Sequence, residues 1–498
     1  MVFMREIILV HPIEGIYNSI SKPFIPLALL SVSSVLIQQG YCVRIIDLRV
    51  TKSWRQELAK AVMKKPICVG ITSMTGSQLF TAMEAAQIVR DTDSHVPIVW
   101  GGPHASLFPE PTIESPLVDI LVRGEGEWTI SEVVEKLESG DSLKDVKGIW
   151  YKAEGEIIRN PSRPFLDLDA LPDIPYHLVD VEKHLHKYFS EERVIEVETS
   201  RGCPFACKFC YNKIYNNSTF RAQSPEKVVS NLKKLNRDYG ITNFLFLDDA
   251  FFANLKRGLR IMELILAEGL SFKIGFQGIR VGHIAKMSDD ELDMVFRAGA
   301  RLFQFGVESG SPRVLKLIDK RLTVDEVVEQ NRRLVKYPEL ILLYNFMCGF
   351  PTETKKELLE STQLAWTILN ENSSSLISPF HHYKHYPGTG LYELAKNESY
   401  KTPQGLKEWA DFDWTEPILS QTPKGLMAMM KKVETVTILA DRKMELQTDF
   451  SFIHVLVKLY RPLARFRLKN NFYALMPEQW LMNVFSWYQK SRSKPPTE

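Results

Sequence analysis

Cysteine is scarce in this chain, six in 498 residues, too few for a disulfide framework. Cys42, Cys68 and Cys348 stand singly in apolar stretches and read as small buried hydrophobes. Long apolar runs are also missing, and none approaches the length that spans a bilayer. Charge of one sign does not dominate: 62 Lys and Arg against 60 Asp and Glu leave +2. That balance gives no general attraction to nucleic acid or to a membrane. No G-x-G-x-x-G dinucleotide fingerprint, internal repeat or low-complexity tract is present, apart from the short polar end 491–498. The start, Met1-Val2-Phe3-Met4-Arg5-Glu6, leads straight into an apolar strand, so no signal peptide is expected. What remains is 45% hydrophobic and 24% charged, an ordinary globular composition with room for about two to four domains.

Half of the cysteines fall within eight residues, Cys203-Pro204-Phe205-Ala206-Cys207-Lys208-Phe209-Cys210, directly after the apolar 194–197. A zinc site normally needs four ligands, often two C-x2-C pairs, and no second pair exists. Three thiolates at C-x3-C-x2-C spacing can hold three irons of a [4Fe–4S] cube and leave the fourth open. At this run the chain resembles the radical S-adenosylmethionine (SAM) superfamily, in which SAM fills the open position through its amino and carboxylate groups. Phe209, just before the last cysteine, fits the same pattern. An oxygen-sensitive cluster with free thiols implies a reducing, cytoplasmic setting and a flavodoxin- or ferredoxin-type electron donor.

Residues 1–150 alternate short apolar strands (near 7–10, 43–47, 68–72, 97–100 and 120–122) with amphipathic helices, which predicts a Rossmann-like, doubly wound parallel sheet. Ligands bind such sheets at the carboxyl ends of the strands. Small, glycine-bearing turns fall there: Thr72-Ser73-Met74-Thr75-Gly76, Gly101-Gly102-Pro103-His104 and Arg123-Gly124-Glu125-Gly126-Glu127. Glycine lets backbone approach a bulky ligand. These segments, with 23–30 and 40–47, look like the cobalamin-binding domain found upstream of many radical SAM domains. The resemblance makes Thr72, Ser73, Gly76, Gly101, Gly102, Pro103, His104, Gly124 and Glu125 the cobalamin contacts. The D-x-H-x-x-G motif that carries a cobalt-ligating histidine is absent; Asp93-Ser94-His95 is followed by Ile at 98. No protein histidine is therefore expected on cobalt, and His104 reads as a tail contact or loop cap.

Residues 151–192 are proline-bearing and read as a stiff linker, with Leu166-Asp167-Leu168-Asp169-Ala170-Leu171-Pro172 resembling the bridge between the two domains of this family. From 193 to 395 strand–helix alternation resumes at longer spacing. Six β/α units predict a partial, TIM-like (β/α)6 barrel with its chemistry at the strands' carboxyl ends. Asp248-Asp249, Gln277-Gly278-Ile279-Arg280, Glu308-Ser309-Gly310-Ser311 and Gly349-Phe350-Pro351-Thr352-Glu353 fall at those ends. Carried over from the resemblance, Asp248 or Asp249 receives the SAM amino group and Arg280 pairs with its carboxylate, a task suited to guanidinium. Glu308 accepts from the ribose hydroxyls, and Phe209 and Gly349 complete the SAM contacts. The bland reading of each carboxylate is a helix cap or solvated turn.

Residues 396–498 read as a helical C-terminal region. From 451 onward there are eight Lys/Arg, two Glu and nine aromatics. Such a tail either caps the barrel with a basic outer face or rests on a membrane surface through Lys458, Arg461, Arg465 and Arg467, with Trp480, Phe485 and Trp487 as anchors. Taken together, the resemblance implies a cobalamin-dependent radical SAM enzyme with three cofactors: a [4Fe–4S] cluster on Cys203, Cys207 and Cys210, SAM and cobalamin. The reaction it implies first is methylation of an unactivated carbon of a small-molecule or lipid-like substrate; oxidative cyclisation or ring rearrangement is the alternative. A methylthiotransferase is disfavoured, because the N-terminal domain lacks a cysteine triad. A cluster-bearing sensor or scaffold that binds cobalamin without turnover is the reading from another class. No nucleic-acid partner is expected.

Overall fold

The computed structural model describes residues 6–13, 22–395, 402–412, 424–447 and 451–479. The chain separates into two compact units, Met1–Leu185 with Thr402–Asp413, and His186–Lys401 with Trp414–Glu498.

In the first unit, β1 (Glu6–His11), β2 (Cys42–Asp47), β3 (Cys68–Thr72), β4 (Ile98–Gly101) and β5 (Ile120–Val122) alternate with α1 (Leu27–Gln38), α2 (Trp54–Val62), α3 (Gln78–Thr92) and α4 (Glu127–Ser139). The five strands are parallel in the order β2-β1-β3-β4-β5, so the order reverses between β1 and β3. That reversal is where doubly wound sheets bind ligands. Each strand is short and apolar because both faces are covered; Ile7, Ile8, Cys68, Val69 and Ile98 are wholly buried.

The sheet is longer than the sequence suggests. An antiparallel hairpin, β6 (Ile149–Ala153) and β7 (Glu156–Arg159), extends it beyond β5, inside the stretch read as linker. Its turn residues Glu154 and Gly155 both have positive φ (52° and 83°), the tight geometry that favours hairpins. The bridge that follows is tied down: Leu166, Leu168 and Leu171 pack with Val35 and Trp128.

The second unit is a seven-strand path in the order β14-β13-β12-β11-β10-β9-β8. Here β8 is His186–Tyr188, β9 Glu191–Val197, β10 Asn243–Phe246, β11 Lys273–Ile279, β12 Ala300–Glu308, β13 Ile341–Cys348 and β14 Ser375–Ile377; β15 (His381–His382) pairs with the end of β13. Strands β9 to β14 are parallel and β8 is antiparallel to β9. The path has two ends and does not close, which makes it a half-barrel. Helices α5 (Pro225–Tyr239), α6 (Leu255–Ala267), α7 (Asp289–Arg297), α8 (Val324–Arg333) and α9 (Lys355–Glu371) cover its outer face. Three of them start at capping boxes legible as S/T-x-x-E, from Ser288, Thr323 and Thr354.

The C-terminal helices α10 (Lys424–Leu439), α11 (Lys443–Gln447) and α12 (Ser451–Asn470) complete this unit. The turn between α10 and α11 seals the last strand. Asp441 Oδ2 accepts from the Ile377 N–H at 2.7 Å, and the Lys443 ammonium donates to the Ile377 carbonyl. A buried Asp and Lys so supply what a neighbouring strand would have given an open edge. Arg467, expected on an outer basic face, is instead 2% exposed and paired with Glu478. Trp480, Phe485 and Trp487 lie outside the described residues.

Candidate active site and cofactor cleft

Side chains alternate across a strand, and in the half-barrel that alternation separates a packed face from an open one. Phe246, Phe276, Phe303, Phe305 and Phe346 face outward and are buried under the helices. Their neighbours Leu247, Gln277, Gln304, Asn345 and Met347 face inward and keep exposure although they sit on central strands. Only a cavity permits that. Its floor is apolar, formed by Phe189, Val194, Leu245, Leu302, Leu343 and Leu376. Above it Gln277 and Gln304 each stand one residue beyond the Phe276–Phe303 pair, and Asn345 pairs with Gly306. The wall over the floor is thus neutral and polar.

The cysteine loop lies at the carboxyl end of this cavity and is held by its backbone. The Cys203 N–H donates to Asn212 Oδ1 at 3.1 Å, and Asn212 Nδ2 returns a bond to the Cys203 carbonyl at 2.6 Å. The Lys208 N–H reaches the Ile318 carbonyl at 2.9 Å. Gly202 has φ 78°, and a Cβ there would lie 2.1 Å from the Thr219 carbonyl oxygen, so the entry to the loop admits only glycine. Burial raises the Cys203 thiol and pushes Cys210 up to about 12; thiolates at this loop need a strong positive partner. Arg280 is beside them, its guanidinium 3.8 Å from the Phe205 ring centroid and Nη1 3.6 Å from Cys207 Sγ. Among the described residues no three His, Cys, Asp or Glu side chains converge on one point as a single ion would require. The three thiols stand on one loop at C-x3-C-x2-C spacing, a donor set that would supply one thiolate to each of three irons.

The two aspartates after β10 have opposite fates. Asp248 is 1% exposed and takes donors from the Thr199 N–H at 2.8 Å, Thr199 Oγ1 at 2.5 Å and Ser200 Oγ at 2.6 Å. It fastens the strand end that leads into the cysteine loop and has no face toward the cavity. Asp249 points inward, accepts from the Gly202 N–H at 3.0 Å, and has its pKa raised because surrounding protein displaces bulk water. Of the two, only Asp249 is placed to meet a ligand.

Glu308 ends β12 with φ 73°, a left-handed conformation costly for a residue with a Cβ. The register with β13 slips at this point. The turn aims the carboxylate inward, where Oε1 accepts from Lys320 Nζ at 2.7 Å. Both residues are buried. Lys320 also lies 5.7 Å over the Phe209 ring, and its carbonyl accepts from Arg280. Phe209 itself packs with Phe350, Ile318 and Leu391. Lys320 was not singled out from sequence; no motif marks it, and only the fold brings it to Glu308.

Gly349 has φ 80°, and a Cβ there would meet Met430 Cε of α10 at 2.9 Å. Its N–H donates to Glu353 Oε2 at 2.6 Å, as does the Phe350 N–H at 3.1 Å, while Glu353 Oε1 is buried without a hydrogen-bond partner. Burial pushes the Glu353 carboxyl up to about 7 from 4.5. A raised folded-state value means the folded protein holds the proton more tightly. This residue's contribution to stability is present below about pH 4.5 and is lost as pH rises through about 7. Glu353→Gln, which keeps an acceptor and removes the charge, raises stability at pH 8 by up to about 3 kcal/mol. The gain shrinks toward zero near pH 4.5, as denaturant titrations at both pH values would register.

In the first unit the glycine-bearing turns sit together at the carboxyl edge of the sheet. Gly102 has φ 92°, and a Cβ there would strike Thr72 Oγ1 at 2.8 Å and the Ser73 nitrogen at 2.9 Å. The Ser73 N–H and Oγ both donate to the Gly101 carbonyl, at 2.9 and 2.8 Å. Thr72, Gly101, Gly102, Pro103 and Gly124 keep partial exposure along this edge. Gly124 has φ 75°, with open space where a side chain would project. Glu125 is turned to structural use, accepting from the Leu166 N–H at 2.8 Å.

Ser73 and His104 are not open to a ligand as expected; both are wholly buried. His104 Nδ1 bonds Thr75 Oγ1 at 3.0 Å, and the ring is enclosed by Phe108 and Trp409 at 5.3 and 6.0 Å. Burial depresses its pKa to about 3. Trp409 stacks on Phe108 at 3.9 Å, and its carbonyl accepts from the Gly76 N–H at 3.2 Å. It arrives from the short helix Leu406–Ala410, some 300 positions away, and no local signal ties it to this cleft. His11 was also passed over; it ends β1 beside the strand-order reversal, with its pKa lowered to about 3 chiefly by burial.

A doubly wound sheet with a glycine-lined carboxyl edge, joined to a half-barrel bearing a three-cysteine loop, defines a SAM-cleaving enzyme with a second cofactor domain. Family profiles agree: residues 197–365 match the radical SAM superfamily and residues 14–134 the B12-binding domain. An uncharacterized methyltransferase of Pyrococcus horikoshii is 30% identical over 87% of this chain and 92% of its own length. An anaerobic magnesium-protoporphyrin IX monomethyl ester cyclase of Synechocystis is 25% identical over 86% of this chain and 88% of its own. Among solved structures, the cobalamin-dependent SAM radical enzyme OxsB superposes with a TM-score of 0.73 at 18% identity, covering 99% of this chain and 76% of that one. The chain belongs to the B12-binding branch of the radical SAM superfamily. It is a radical SAM enzyme whose cofactors are a [4Fe–4S] cluster, SAM and cobalamin.

Proposed function

We propose that the enzyme transfers a methyl group to an unactivated carbon of a small molecule. The observation that carries this reading is the match, across nearly the whole of both chains, to a relative described as a methyltransferase. When bound, the cofactors supply a carbon-centred radical from SAM and a transferable methyl group from cobalamin.

The chain's own part is placement and exclusion. Cys203, Cys207 and Cys210 hold the cluster, and Asp249, Arg280 and Glu308 are the polar groups available to SAM beside it. Lys320 fixes Glu308 so that a single acceptor oxygen is left for a hydroxyl. The apolar floor would exclude water from the cavity, and the outward phenylalanines seal the sheet behind it. Gln277, Gln304 and Asn345 favour a substrate with neutral hydrogen-bonding groups over a bare hydrocarbon chain. In the first unit the backbone of Gly101, Gly102 and Gly124 lines the cobalamin edge. The matched cyclases support a second reading, oxidative cyclisation on the same two cofactors.

Product analysis separates the readings. Loaded enzyme, a one-electron reductant, SAM and a small-molecule extract of the source cells, as the pool of acceptors, are incubated anaerobically, and adenosyl products are separated by chromatography. A methyltransferase of this kind releases both S-adenosylhomocysteine and 5′-deoxyadenosine. 5′-Deoxyadenosine alone favours cyclisation, and neither product would leave only a scaffold.

A further inference from the structure

Helix α12 carries two apolar stripes, and among the described residues only one is packed against the rest of the unit. Val457, Ala464 and Leu468 face inward and are buried against α9 and α10. The attachment is firm: Gln363 Nε2 donates to the Leu468 carbonyl at 2.8 Å, and Lys432 Nζ to the Tyr473 carbonyl at 2.9 Å. The second stripe, Val455, Leu456, Leu459, Leu463 and Phe466, recurs at helical spacing on the opposite side. Leu459 is 74% exposed and Phe466 51%. Phe472 and Leu475, just past the helix, continue it at 43% and 87%. A surface helix normally shows one apolar face, and a run of large exposed apolar side chains marks a contact surface.

Charge decides between occupants. Residues 451–479 contain Lys458, Arg461, Arg465, Arg467 and Lys469 but a single acid, Glu478, which is buried against Arg467. Arg461 turns inward to Glu445, and Arg465 Nε bonds the Ala440 carbonyl at 3.1 Å. Lys458 is exposed beside the apolar stripe, and Lys469 is exposed at the edge toward α9, its Nζ 5.9 Å over the Trp366 ring, so the charge this segment presents to solvent is positive. A second copy of the same face would meet like charge. An anionic surface with an apolar interior meets both features at once. No helix among the described residues is long and apolar enough to cross a membrane.

We propose that the outer face of α12, with Phe472 and Leu475, seats the enzyme peripherally on an anionic lipid bilayer, parallel to its plane. Leu459 and Phe466 enter the acyl boundary while Lys458 and Lys469 stay among the headgroups.

The test is flotation of the full, cofactor-loaded chain with vesicles of phosphatidylcholine containing phosphatidylglycerol, and with phosphatidylcholine alone, at low and raised salt. Wild type floats with the anionic vesicles at low salt and is about tenfold less bound in raised salt or on the neutral vesicles. Leu459→Glu with Phe466→Glu lowers the floated fraction at least about tenfold; both sites are exposed, so melting temperature and SAM cleavage stay at wild-type values. Failure of wild type to float at low salt, equal flotation on both vesicle types, or flotation untouched by the substitutions would overturn the assignment. So would a dimer in solution that the same two substitutions dissociate, which would make a second copy the occupant. SAM cleavage read on the same samples keeps this result separate from the catalytic assignment.

Discussion

With Cys203, Cys207 and Cys210 all changed to Ala, the anaerobically purified protein loses the brown cluster absorption, holds no cluster iron or sulfide, and cleaves no SAM. The effect is complete because the loop offers no other thiol, and Cys42, Cys68 and Cys348 are distant in sequence. The fold survives, since oxygen-accepted bonds from Asn212 and Ile318 pin the loop, and the thiols add only long contacts, from the Asn212 N–H to Cys210 Sγ at 3.5 Å and from Arg280 to Cys207 Sγ at 3.6 Å. Each of the three small side chains lost costs on the order of 1 kcal/mol of packing, about 3 kcal/mol together, so the melting temperature falls by about 10 degrees and the unfolding transition remains. Iron and sulfide analysis with low-temperature electron paramagnetic resonance reads the outcome. A triple variant that keeps a reducible cluster would sink the ligand assignment.

The second large effect comes from a residue with no side chain. Gly306 leaves the space in which Glu308 and Lys320 meet: a Cβ there would stand 2.5 Å from Glu308 Oε1 and 2.8 Å from Lys320 Nζ. Gly306→Val overfills that space, so the flexible ends of the Glu308–Lys320 pair must shift, which costs about 1–3 kcal/mol. SAM affinity drops with stability, because the freed carboxylate no longer holds its place. A double variant distinguishes the two losses. Glu308→Gln with Lys320→Met removes both charges, so stability recovers to within about 1–2 kcal/mol of wild type, while SAM binding remains weak. Equilibrium dialysis with labelled SAM and denaturant titration measure these separately. If Gly306→Val binds SAM like wild type, Glu308 has no part in the SAM site.

The cysteine loop was legible because its spacing is local. The five parallel strands of the first sheet were legible because burial on both faces produces short apolar runs, and the six of the half-barrel because their outward face is apolar and their inward face is apolar at the floor of the cavity. Asp248 and Asp249 were not separable. Which faces the cavity is a matter of one residue's parity, settled by the pairing of Phe246 with Val197 and of Phe246 with Phe276. The β6–β7 hairpin was lost among prolines, although Glu154-Gly155 between Ile149-Trp150-Tyr151 and Ile157-Ile158 is a turn between strand-like segments. Lys320, Met430 and Trp409 had no signal at all. Each reaches its site by tertiary packing from sequence positions that local patterns do not connect.

Trp409 has a genetic consequence. The first unit is written in two pieces, with the whole second-unit barrel inserted between Leu185 and Thr402. One crossover in the gene cannot transfer this cobalamin-binding half intact, because a fragment cut at 185 lacks the indole that covers Phe108 and His104. Recombination would have to carry both pieces, or find a substitute for one tryptophan.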